Sequence, residues 1–154
     1  MEHFQDAIEE FKRVDHLVHV SLKYTRTVDV IKSVIERMIT TIDFLILQML
    51  EVEKERNAIE SFPVIPLLRA ESLESLYGND PDFAEMFRMY RLLRKLNNAE
   101  YSRREEFRRH VTMIATVDDN IVEVNIDTVT EDYHKLKGFI DKVFGILKET
   151  VIKV

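Results

Sequence analysis

Residues 29–50 read DVIKSVIERMITTIDFLILQML. Apolar side chains recur every three or four positions at Ile31, Val34, Ile35, Met38, Ile42, Leu45, Ile46 and Met49. That spacing is one face of a helix. Asp29, Lys32, Glu36 and Asp43 fall on the other side, with Asp43 expected as a boundary residue. So wide a stripe needs neighbours on several sides, so residues of about 26–57 are expected to form the central, most buried helix of a bundle. The most apolar part, 39–50, is too short for a membrane span of about 20 residues and is interrupted by Asp43.

The flanking segments extend the same pattern. Phe4, Ile8, Phe11, Val18 and Leu22 make a stripe for a first helix over about 2–24. Pro63 and Pro66 lack amide donors and push the preceding residues out of helical geometry. A short helix over about 68–77 follows. Asp80 and Pro81 then form a start signal, an N-cap followed by proline at the first helical position. The helix they open, about 81–97, carries Phe83, Phe87, Tyr90 and Leu93 inward, with Met86 and Met89 as core filler or dimer contact. Ser102 with Glu105 reads as a capping box for another helix, with Phe107, Val111 and Ile114 turned inward. Residues 111–126 fit two descriptions. Alternation and β-branching fit a hairpin around AspAspAsn at 118–120; a frayed helix end and a loop fit as well. Thr128 with Glu131 is a second capping box. It opens a last helix to about 152 with Val129, Tyr133, Leu136, Ile140, Val143, Leu147 and Val151 as its stripe.

The expected fold is therefore all-α: one helical-bundle domain over 1–154, of four to six helices, with at most one short β-hairpin near 111–126. Three Gly and three Pro in 154 residues favour long helices over turn-rich β folds. The absence of Cys excludes disulfides, thiol catalysis and Cys-ligated zinc, and fits a reducing, cytoplasmic setting. The N-terminus is acidic and amphipathic, unlike a signal peptide.

Charge is unevenly spread. The chain carries a net charge of −6. Residues 88–110 nevertheless hold eight Lys or Arg (Arg88, Arg91, Arg94, Lys95, Arg103, Arg104, Arg108, Arg109) against Glu100, Glu105 and Glu106. A basic island in an acidic chain points to a phosphate-bearing partner. Arg88, Arg91 and Lys95 share a ridge beside Tyr90, and with Tyr101 nearby could track a nucleic-acid backbone. Arg103 and His110 are seven apart, so on a helix they would return to within about 20° of one face; Arg104 would point elsewhere. A cation on phosphate beside an imidazole that moves a proton is sufficient equipment for metal-free RNA strand scission. The competing reading is a solvated face, with these arginines paired to Glu105 and Glu106. His16 and His19, with Asp15 adjacent, have a spacing that can share a metal, but no ligand set completes it. They read as exposed helical histidines, and no metal or cofactor is expected.

The run RREEFRRHVTMI (103–114), then AspAspAsn and a long closing helix, resembles the HEPN superfamily (higher eukaryotes and prokaryotes nucleotide-binding). Its members are small helical bundles with an Arg-x4–6-His motif late in the chain. The likeness covers about 100–150. It places the family's His on His110 and its Arg on Arg103 or Arg104. The resemblance implies RNA- or nucleotide-phosphate-directed function, as a metal-independent endoribonuclease or toxin–antitoxin component. His110 would be the general acid/base, Arg103 or Arg104 the phosphate stabiliser, and Arg88, Arg91, Lys95 and Arg108 the substrate track. It further implies a homodimer, to which surplus apolar positions in the second helix also point, and a nucleotidyltransferase-type partner. The alternative is a non-catalytic helical homodimer that serves as a protein-interaction module.

Overall fold

The computed structural model describes residues 1–152, with side chains through 150. Helix α1 (Glu2–His16) runs through a π-helical turn (Leu17–Ser21) into a last turn (Leu22–Tyr24). Helices α2 (Val28–Glu55), α3 (Pro66–Tyr77) and α4 (Pro81–Asn98) follow. Strands β1 (Tyr101–Arg104), β2 (Thr112–Val117) and β3 (Asn120–Asn125) form an antiparallel meander in the order β1-β2-β3. Helix α5 (Ile126–Ile152) closes the chain.

Helix α2 is the centre, as its stripe requires. Ile31, Val34, Ile35, Met38, Ile42, Leu45, Ile46 and Met49 are all buried, and α2 packs against α1, α3, α4, α5 and β2. The apolar positions counted as surplus for a dimer are thus used inside the monomer. Thr27 caps α2, its hydroxyl oxygen accepting from the Val30 amide at 3.2 Å. Asp80 caps α4 through the amides of Asp82 (2.9 Å) and Phe83 (3.3 Å). One cap crosses the core: the buried Gln48 of α2 accepts the Phe4 amide of α1 at 3.0 Å. Such bonds satisfy donors that a helix start leaves open. Tyr90, Phe83, Phe87 and Leu93 lie in the core together with Met86 and Met89. The α5 stripe from Val129 to Leu147 is buried as expected; the side chain of Val151 lies outside the described residues.

Three expectations are corrected. The fold is mostly helical, as expected, but the β element is a three-stranded sheet and not a hairpin alone. No helix covers 102–114. The Ser102/Glu105 pattern is overridden because Tyr101–Arg104 pairs with β2, whose Thr, Ile and Val content favours a strand. Helix α5 starts two residues before the Thr128/Glu131 box: the Asn125 side chain accepts from the Thr128 amide at 2.9 Å and fixes the start there.

Residues 111–126 do contain the hairpin. Val117 pairs with Asn120 across Asp118 and Asp119, with φ of 50° and 65°. Positive φ at both central residues is a type I′ turn, whose twist matches that of the strands. Met113, Ala115, Val117 and Val124 bury one face of the sheet on the helices. Among the described residues no helix is long and apolar enough to cross a membrane.

Candidate nucleic-acid interface

The basic island divides between α4, β1 and the loop that joins β1 to β2. On α4, Arg88 pairs with Glu85 (2.7 Å), Arg91 with Glu74 of α3 (2.6 Å), and Lys95 with Asp118 of the hairpin turn (2.6 Å). The ridge therefore brings its own carboxylates. Arg91 holds the Glu74 carboxyl below its ordinary range through their hydrogen bonds. Tyr90 does not stack outward. It is fully buried, and its hydroxyl donates to Asp43. Burial pushes the Asp43 carboxyl above its ordinary value and outweighs the hydrogen bond from Tyr90 and the fields of Arg94 and Arg69.

On β1, Arg103 lies opposite Met113 and Arg104 opposite Thr112. Arg103 is clamped between Asp29 at the start of α2 (2.9 Å) and Glu106 (3.0 Å). Those two hydrogen bonds, Asp29 first, raise its pKa above the ordinary arginine value. Arg104 pairs with Glu123 of β3 at 2.8 Å across the outer face of the sheet. Charged side chains on an edge strand such as β1 discourage further strand pairing.

His110 precedes β2. Its carbonyl accepts the Thr112 hydroxyl at 2.8 Å. Its side chain lines a cleft of about 40 Å³ with Arg109, Asn125, Ile126 and Asp127, at the start of α5. Neither Arg103 nor Arg104 lines that cleft. The two-turn helical juxtaposition of Arg103 with His110 is therefore absent. Sequence adjacency survives, but the shared face does not.

The loop itself is firmly held. The Phe107 amide donates to the Arg26 carbonyl at 2.7 Å. The Glu106 carboxylate accepts the Val28 amide at 3.2 Å and so caps α2 from a distance. Two turn bonds, Arg108 N–H to Glu105 and Val111 N–H to Arg108, close the loop (3.1 and 3.0 Å). Phe107 was expected inward and stands 77 % exposed. Its φ is 67° and that of Glu105 is 58°. A non-glycine residue in the left-handed region is unfavourable, most of all a bulky one. Arg108, Arg109 and His110 are exposed beside it. Arg108 has Glu105 at only 4.0 Å, and Arg109 has no ion pair among the described residues. Sequence reasoning missed Phe107 and Arg109 as site residues. The one signal was an aromatic inside a run of charges, which fits a core stripe only if the segment is helical.

Away from the island, His19 Nδ1 lies 3.0 Å from Asp15 and edge-on to Tyr133, while Tyr133 donates to Asp15 at 2.6 Å. Among the described residues no three His, Asp or Glu side chains gather as a metal site. No protein-family model, curated protein or solved structure matches this chain.

Proposed function

We propose that the protein binds single-stranded RNA through the loop between β1 and β2. Phe107 is the stacking platform, and Arg108 and Arg109 are the phosphate contacts. One observation carries the reading. Phe107 combines an unfavourable φ with 77 % exposure and lies outside the buried core. An outlier of this kind, on a loop held by cross-links to α2, supports a functional role. Exposed aromatics beside arginines suit unstacked bases and their phosphates. This reading keeps the RNA-directed part of the HEPN resemblance. Arg103 becomes a positioning residue for the loop, since its guanidinium is engaged with Asp29 and Glu106. His110 remains the candidate general acid/base for strand scission.

The test is fluorescence anisotropy with a short single-stranded oligoribonucleotide, together with incubation of a mixed RNA pool in EDTA. Phe107→Ala is expected to weaken binding by about 5- to 100-fold, the worth of one base–aromatic stack. Arg108→Ala/Arg109→Ala should flatten the salt dependence. Unchanged affinity in Phe107→Ala would overturn the reading. Cleavage to 2′,3′-cyclic phosphate ends that disappears in His110→Ala adds catalysis to binding; absent cleavage leaves binding alone.

A second reading is favoured by a different surface. Val64, Ile65, Leu67 and Leu68, around the start of α3, are all exposed. Such a cluster fits a protein-interaction module engaging a second copy or a nucleotidyltransferase-type partner. Light scattering of wild type against Val64→Asp/Leu68→Asp separates self-association from a monomer.

A further inference from the structure

A cavity of about 550 Å³ lies between α3, α4 and the turn joining β2 to β3. Leu67, Ala99 and Val117 give it apolar walls, and Arg91, Arg94 and Lys95 bring three cations to it. Two of these are committed to carboxylates: Arg91 to Glu74, Lys95 to Asp118. Arg94 differs. Among the described residues it forms no ion pair, and its buried Nε has no hydrogen-bond partner. The one hydrogen bond of its guanidinium runs from Nη1 to the Tyr90 hydroxyl, a long 3.4 Å. Its charge rests 5.6 Å from the centre of the Tyr90 ring. The Asp43 carboxylate, which accepts the Tyr90 hydroxyl, acts on Arg94 through its field; among the described residues no hydrogen bond joins the two. A guanidinium has five donors, and a buried donor left open is costly. An incoming carboxylate would accept from that planar fork in a bidentate pair.

We propose that this cavity binds a small aliphatic monocarboxylate, its carboxylate on Arg94 and its hydrocarbon body against Leu67, Ala99 and Val117. A single charge is selected because, among the described residues, Arg94 alone of the three lining cations has no ion pair, while Glu71 lines the same cavity and repels a second charge. The volume falls within the range of small-molecule pockets, about 300–1,000 Å³. Phosphate esters, with nearly two charges, are disfavoured for the same reason. The site is separate from the RNA-binding loop and stands without that reading, since none of residues 105–111 lines it.

The experiment titrates the full chain with hexanoate, 1-hexanol and hexyl phosphate, by calorimetry and by amide chemical shifts. Hexanoate is expected to bind saturably at one site, shifting the amides of Leu67, Ala99 and Val117. Hexanol and hexyl phosphate are expected to bind at least about tenfold more weakly, as the charge-assisted hydrogen bond to Arg94 predicts. Arg94→Gln should lower hexanoate affinity about tenfold or more and leave hexanol unchanged. Ala99→Phe fills the cavity without touching the cation and should abolish hexanoate binding; it decides the matter if Arg94→Gln fails to fold. The proposal is overturned if hexanoate does not saturate, if hexanol binds equally well, or if Ala99→Phe leaves hexanoate binding intact. Tighter binding of hexyl phosphate overturns the single-charge assignment.

Discussion

Helix α2 and the loop 105–111 touch each other, yet they obey opposite rules. In α2, apolar spacing, burial and capping all agree, and they override the low helix propensity of its many Ile, Val and Thr residues. The helix reads as one stripe, and every residue of that stripe is buried. In the loop, side chain and backbone disagree. Phe107 takes a φ suited to glycine and leaves its ring in solvent. Natural sequences are locally consistent except where function or strain intervenes, so disagreement is the more informative region. The two regions are also coupled, because Glu106 supplies a cap to the α2 N-terminus and Asp29 of α2 fastens Arg103.

The sharpest way to break the comparison is to truncate one apolar residue in each region. Leu45→Ala, at a fully buried position of α2, should lower stability by about 2–5 kcal/mol in urea unfolding. Phe107→Ala should change it by no more than about 0.5 kcal/mol. Equal losses at the two sites would mean that Phe107 packs in solution and that the contrast is false.

A second disagreement of residue and environment sits between α4 and α5. Burial, more than any neighbouring charge, lifts the Asp132 carboxyl from 3.8 to about 6. The folded chain then binds this proton more tightly than the unfolded chain. Its contribution is favourable below about pH 4 and is lost as pH rises through about 6. Asp132→Asn should therefore stabilise the protein at pH 7 by about 1–2 kcal/mol, after allowing for solvent screening. The gain should vanish near pH 4, and thermal melts at the two pH values check it. A gain of the same size at both pH values would assign the effect to packing instead of charge.

Cutting the link between the regions has a smaller effect. Glu106→Ala removes the cap on the Val28 amide and one partner of Arg103. The expected cost is about 1 kcal/mol, together with faster amide exchange at Phe107 and weaker RNA binding. Exchange unchanged from wild type would show that the loop is held by other contacts.

The smallest expected shift goes in the opposite direction. Phe107→Gly should raise stability by about 0.5 kcal/mol. It removes the φ penalty, although glycine returns part of that gain through the freedom of the unfolded chain. Stability and RNA affinity would then move oppositely, the signature of a residue kept for function. A loss of stability would show that the ring makes contacts the fold requires.

The helical half of the fold was legible because helix signals are local. Asp80–Pro81, Pro63 and Pro66 as breakers, and the apolar stripes of α2, α4 and α5 all act within a few residues. The region 101–110 was misread for the same reason. Ser102 and Glu105 have the local form of a capping box, but strand pairing between Tyr101–Arg104 and Thr112–Val117 is a contact at a distance. Once that segment became strand and loop, Phe107 moved from expected core to surface, and the shared face of Arg103 and His110 was lost. The ridge was misjudged differently. Its cations were visible, but Glu74, Asp118 and Glu123, which neutralise part of the island, arrive from other elements.

By itself the sequence determined a mostly helical chain centred on α2, because helical periodicity and caps are encoded within one or two turns. It also determined that a basic island interrupts an acidic chain. Tertiary structure alone decided which of those cations remain available. Pairing depends on carboxylates brought together across the fold, and it left the Phe107–His110 loop and the unpaired Arg94 as the places where this protein has most to offer a ligand.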